Sequence, residues 1–169
     1  MKRLFLLRHA KAGFHPEDKS RPLAPRGIRD ATWLSQYFKK AGFLPDYILC
    51  SSAARAKETC SYLLKNTKDK PQVSFQDNLY LAPAGHLYDE LKSLGPAINQ
   101  VMIIGHNPGF SALFQNLAND PPTDSRSLKY PTCMVSILDF DITDWRNLKS
   151  CTGQVFDLII PADRIEGKN

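Results

Sequence analysis

The chain has 169 residues, 43% of them hydrophobic, which suits one globular domain over residues 1–169 with a single sizeable core. No apolar stretch approaches the roughly 20 residues of a membrane span, and the short apolar run at the N-terminus has no small-residue cleavage site behind it. A soluble, cytoplasmic chain with no membrane partner is expected. The net charge of +5 lies wholly in residues 1–29, which carry +6 against −1 for the rest, so this segment is either a solvated basic surface or a region that faces an anion. Its basic residues are not interleaved with aromatics and no nucleic-acid motif is present, which argues against a nucleic-acid partner.

The first predicted element is a strand over about 2–8, the apolar run Leu4-Phe5-Leu6-Leu7 closing on Arg8-His9-Ala10. Residues at the carboxyl ends of strands in α/β proteins point into a crevice of loops and helix N-termini. His9 is thereby a candidate nucleophile toward an anion and Arg8 a candidate clamp. Residues 10–24 read as a polar loop, and 26–41 as a helix with Ala31, Leu34, Phe38 and Ala41 on one face and Gly42 as its stop.

A second strand over 46–50 leads into Ser51 to Thr59, where Ser51 or Ser52 can cap a helix over 53–66 whose buried stripe is Ala56, Cys60, Leu63 and Leu64. Arg55 falls in its first turn. The helix dipole disfavours a cation there by ~0.3–1 kcal/mol, so the placement calls for a compensating anion, either a ligand or a swing back to Glu58 or Glu17. A third strand over 72–76 precedes a helix over 85–94 with Leu87, Leu91 and Leu94 inward. A fourth over 101–105 runs into His106-Asn107-Pro108-Gly109, read as a helix start with Asn107 as N-cap and Pro108 at the first helical position. His106 then stands beside a positive helix end suited to phosphate. Residues 119–132 are read as a loop, and strands over 133–140 and 154–160 follow each other without a helix. The expected fold is α/β, a three-layer α/β/α sandwich whose mainly parallel central sheet has an antiparallel edge.

Three strand ends thus supply Arg8 with His9, Arg55, and His106. Two guanidinium forks match phosphate oxygens, and imidazole alternates between nucleophile and donor, so a phosphoryl group is the natural ligand. The four cysteines lie scattered, with neither a Cys-x-x-Cys pair nor a neighbouring His at metal-ligand spacing. They are read as reduced thiols, with no metal or cofactor expected. Cys50 is of interest because it immediately precedes the Arg55 segment. His15 is either a solvated loop residue or one that approaches a substrate. His86 is read as surface, and Trp33, Trp145 and the aromatics of 75–88 as packing residues.

With Arg8-His9-Ala10, Ser51 to Thr59 as Ser-x-x-x-Arg-Ala-x-x-Thr, and Gly105-His106-Asn107-Pro108 in view, the chain resembles the histidine phosphatase superfamily, which includes the phosphoglycerate mutases. The short length and Asp18-Lys19-Ser20-Arg21-Pro22-Leu23 followed by Gly27 look like its compact SixA-type phosphohistidine phosphatases. The resemblance implies a phosphoglycerate mutase-like fold, phosphorylation of His9, and a phosphoryl group held by Arg8, Arg55 and His106 with Arg21 nearby. Asn107 joins this set as a candidate phosphate-binding residue. The implied partner is a phosphorylated protein, such as a histidine phosphotransfer domain, or a small phosphorylated metabolite. A small-molecule phosphomonoesterase and a non-catalytic phosphate-binding module remain the competing readings.

Two departures stand out. Ala10 replaces the glycine of the Arg-His-Gly signature, which is unproblematic if its φ is negative. The stretch Asp77 to His86, where larger relatives carry a glutamate acid, has no glutamate until Glu90. Asp18 is then the candidate proton donor and Glu17 the next, unless Asp18 merely pairs with Arg21 or no acid is used. Protonated His106 is expected to stabilise the phosphoryl charge.

Overall fold

The computed structural model describes residues 1–123, 125–165 and 167, with the side chain of Ser127 left out. Asp124, within the expected 119–132 loop, lies outside them. Six strands, β1 (Lys2–Arg8), β2 (Tyr47–Ser51), β3 (Gln72–Gln76), β4 (Gln100–Gly105), β5 (Val135–Phe140) and β6 (Gln154–Ile159), form one sheet in the order β3-β2-β4-β1-β5-β6. The first four are mutually parallel; β5 runs antiparallel to β1 and to β6. No α-helix lies between β5 and β6; their connection carries a 3-10 turn at Trp145–Asn147 and brings the chain back antiparallel.

The alternation of side chains along β1 explains the layers. Leu4 and Leu6 enter a core shared with helices α3 (Ala84–Lys92) and α4 (Gly109–Leu117). Phe5 and Leu7 enter the opposite core with α1 (Pro25–Ala41) and α2 (Ala54–Leu63). Short helices α5 (Ser125–Lys129) and α6 (Pro161–Ile165) complete the set, so part of the expected 119–132 loop is helical. Successive β1 residues are buried on both faces, which is why that strand reads as an unbroken apolar run.

Helix ends differ from expectation in three places. Gly42 does stop α1, in the left-handed conformation (φ 71°), but Ala41 beside it is exposed. The N-cap of α2 is Ala53, although Ser51 Oγ still accepts from its amide at 3.3 Å. Helix α4 begins at Gly109 with Pro108 as N-cap after a cis Asn107-Pro108 bond, so Asn107 is not its N-cap.

Because β2, β4 and β1 are adjacent, the carboxyl ends of the strands that carry Ser51, His106 and His9 lie side by side. Close approaches hold the flanking segments to them. A Cβ added to Gly27 would stand 2.2 Å from the Lys11 carbonyl oxygen, and one on Gly109 would stand 2.1 Å from that of Ala82. Both neighbours are backbone and cannot swing away. Gly27→Ala should therefore lower unfolding stability by about 1–3 kcal/mol, read as a reduced urea midpoint at unchanged m-value.

Candidate active site

The main chain at the end of β1 is pinned from two sides. The His9 amide donates to Gly105 O at 3.0 Å, and the Cys133 amide donates to the carbonyls of Arg8 and His9, each at 3.1 Å. Ala10 is not among the non-glycine residues of positive φ in the described chain, so its Cβ meets no backbone penalty there.

Around this anchor the structure brings together Arg8, His9, Arg21, Arg55 and His106, lining a pocket of about 220 Å³. His9 is 8% exposed, His106 3% and Arg55 3%. The His9 Nδ1 lies 2.8 Å from the Ala10 carbonyl oxygen, which can only accept, so Nδ1 carries the proton and Nε2 the lone pair. That lone pair accepts from Arg55 Nε at 3.3 Å. His106 has the opposite tautomer: its Nε2 donates to Ser51 Oγ at 2.7 Å, while Nδ1 faces the donor Arg55 Nη2 at 3.5 Å. The rings stand 5.0 Å apart.

The Ser51 to Thr59 segment secures both imidazoles. Ser51 holds His106, and at the other end Thr59 Oγ1 donates to Arg55 O at 2.6 Å and accepts from the Ala10 amide at 3.0 Å. Neither residue was assigned such a task from sequence; their hydroxyls at the two ends of the motif were the available signal.

Burial sets the charge states. Loss of water pushes the His9 imidazole down from its usual 6.5 to about 4; the Ala10 hydrogen bond opposes this and nearby Arg55 adds to it. His106 is pushed down to about 3, again by burial first, then by His9 and Arg55. The free site therefore holds two neutral rings, and the expected proton on His106 belongs to the phosphoryl-bound site.

Arg55 finds its anion in Asp18, rather than in Glu58 or Glu17. Its Nη1 donates to the Asp18 carbonyl at 2.7 Å and Nη2 to Asp18 Oδ2 at 3.0 Å. Glu58 is engaged by the Leu23 amide and Glu17 by Ser20 Oγ. Asp18 also accepts from Arg21 Nη1 at 3.2 Å and from Tyr80 Oη at 2.5 Å. These donors, Tyr80 foremost, hold its carboxyl well below the usual range, at about 2. Held by these donors, the Asp18 carboxylate is ionised near neutrality in the free site. Tyr80 was read as a packing residue. Instead its hydroxyl reaches the site from the segment searched for a glutamate, and its ring stands edge-on to His106 at 5.4 Å.

Other expectations resolve as follows. Arg21 reaches the pocket with Nε fixed to Gly13 O at 2.9 Å. Arg8 Nη1 donates to Tyr130 O at 2.8 Å, while its Nε is buried without a partner. Asn107 borders the pocket, but its amide donates to Lys129 O and Tyr130 O and its oxygen accepts from the Ser111 amide. It is thus occupied in bracing α4 and α5, against its expected phosphate contact. His15 is exposed and bonded to Glu17, and His86 lies half-buried on α3 beside Glu90. The Cys50 thiol is buried, and the neighbouring Cys60 thiol and burial push it up, so it is inert rather than reactive.

Residues 4–80 match the model of the histidine phosphatase superfamily (branch 1). An uncharacterized protein of Mycobacterium tuberculosis is 34% identical over 140 residues, covering 78% of this chain and 85% of its own. The chain belongs to the histidine phosphatase superfamily. Within that superfamily it is SixA-like: a structure from Nakamurella multipartitia assigned as the phosphohistidine phosphatase SixA has TM-score 0.81 at 25% identity, with 95% of this chain and 96% of that one covered. The protein histidine phosphatase SixA complexed with tungstate shares the fold, with TM-score 0.78 at 18% identity over 96% and 99% of the two chains.

The two depressed imidazoles carry a stability consequence. Their contribution is fully present above the unfolded value of 6.5 and is lost as pH falls toward the folded values of about 4 and 3. Urea unfolding between pH 7 and 4.5 should show stability declining with acidity, and His106→Asn should make that decline shallower.

Proposed function

We propose that residues 1–169 form one phosphatase domain that hydrolyses phosphohistidine in a signalling protein through a phosphorylated His9, without a metal ion. The observation that carries this reading is the His9 Nε2 lone pair, neutral and buried among Arg8, Arg55 and His106, in a site whose one adjacent carboxylate, Asp18, is held ionised.

The steps balance as follows. His9 Nε2 attacks phosphorus in line; the new P–N bond forms as the substrate's P–N bond breaks, and the departing imidazole keeps the electron pair. Phospho-His9 is cationic at the ring, with Nδ1–H still on the Ala10 carbonyl. Arg8 Nε, which lacks a partner in the free site, and the Arg55 fork, released from Asp18, meet the phosphoryl oxygens. The incoming negative charge raises the His106 value, so that its Nδ1 takes a proton from solvent and donates to a third oxygen. Water then attacks phosphorus, the lone pair returns to Nε2, and phosphate leaves.

The leaving group decides between substrates. An alkoxide is a strong base and gains about 10²–10⁴-fold from a positioned acid. An imidazole whose other nitrogen already carries a proton leaves as the neutral ring, a base of parent value near ~6.5, and departs with far less help. A site whose carboxylate is ionised favours the second. The four free cysteines, three of them buried, support a reducing cytoplasmic setting.

His9→Ala should abolish both turnover and the acid-labile phosphoenzyme; undiminished activity contradicts the nucleophile assignment. Across a panel of phosphorylated histidine phosphotransfer domain, sugar phosphates and nucleotides, the phosphoprotein should lose its label fastest. Faster hydrolysis of a monoester makes the protein a small-molecule phosphatase, and phosphate binding with no turnover makes it a binding module.

A further inference from the structure

Two large apolar side chains stand exposed at the mouth of the pocket: Phe14 at 88% and Leu81 at 51%. Leu81 lines the catalytic pocket itself, and Phe14 lines the cleft next to it, the two sharing Ala12 and Arg21. Neither exposure comes from a slack segment. Phe14 follows Gly13, whose amide donates to Pro22 O at 2.8 Å and whose carbonyl accepts from Arg21, and Ala12 bridges Leu23. Leu81 sits between Tyr80, bonded to Asp18, and Ala82, pressed against Gly109.

The backbone of Leu81 is in the left-handed region, with φ 52°. That conformation is unfavourable for a leucine and cheap for glycine or asparagine. A strained leucine that gains little burial from the fold calls for a partner outside it. The surroundings state that partner's charge: Arg8, Lys11, Arg21 and Arg55 line the pocket, against Asp18 in the cleft beside Phe14.

We propose that Phe14 and Leu81 form an apolar docking rim for a polypeptide that presents its phosphohistidine between apolar and acidic side chains. This rests on the phosphohistidine reading above and adds how the substrate is selected. With His9 nearly buried beneath the rim, the phosphorylated side chain must descend from the partner's surface while the residues flanking it settle on Phe14 and Leu81. Burial of one such side chain gives about a tenfold preference.

The test uses the whole chain and three probes: free phosphohistidine, a peptide with phosphohistidine flanked by leucine and glutamate, and one flanked by serine. For the unaltered protein, kcat/KM should favour the leucine and glutamate peptide over the serine peptide by about tenfold or more. In Phe14→Ser and in Leu81→Asn that ratio should fall toward one while Tm does not drop, since asparagine suits the left-handed backbone. Equal rates on the two peptides, or a preference that survives both substitutions, overturns the rim and leaves the phosphohistidine reading standing. Hydrolysis of sugar phosphates with none of the three probes removes that reading and the rim with it.

Discussion

Arg55 enters the site from the first turn of a helix, where the backbone dipole opposes a cation, and it gives up nearly all of its water. Such a charge is tolerable only with its donors engaged, and the positions of its neighbours follow from that demand. Both terminal nitrogens reach Asp18, the Nε reaches the His9 lone pair, and burial, with the guanidinium field added to it, keeps both imidazoles from taking up protons. Asp18 in turn stays anionic, anchored by Tyr80 and Arg21. With Arg8, Arg21 and Arg55 set against the Asp18 carboxylate, the site carries an excess of positive charge and a buried Arg8 donor with no partner. A phosphoryl group corrects both.

The sheet places the histidines and Arg55, and the long connection between β1 and α1 adds Asp18 and Arg21. Adjacent β2, β4 and β1 end together, and the Ser51 to Thr59 segment crosses from one histidine to the other, its two hydroxyls fixing His106 and the backbone after His9. The glycines at 27 and 109 let the neighbouring backbone come within contact distance, so the segments carrying Lys11 and Ala82 are seated by shape rather than by side-chain bonds. This rigidity is what keeps two buried imidazoles in opposite tautomers: each ring has one nitrogen committed to the scaffold and one turned to the pocket.

Strand positions and the four central residues were legible because they rest on local signals: apolar runs ending in Arg8-His9, an arginine at a disfavoured helix position, and a histidine before a helix start. What was not legible depends on contacts across long stretches of chain. Tyr80 meets Asp18 from 62 residues away, so nothing near either residue marks the pair. The charge of His106 depends on burial and on His9 and Arg55 together, which no motif records. Asn107 looked like a helix cap by its place before a proline, but the carbonyls of Lys129 and Tyr130 compete for its amide, and the helix starts two residues later. Ser51 and Thr59 are visible as motif letters without a task, since His106 and the Ala10 amide lie far from them in sequence.

The protonation state of the histidine pair tests this account most directly. An NMR titration that follows the imidazole nitrogens of His9 and His106, in the free protein and with tungstate bound, reads it ring by ring. The free protein should show both rings neutral down to about pH 5, His9 with its proton on Nδ1 and His106 on Nε2, and anion binding should bring a proton onto His106 near neutrality. A free-site titration of either ring near 6.5, or a bound anion that leaves His106 neutral, would contradict it.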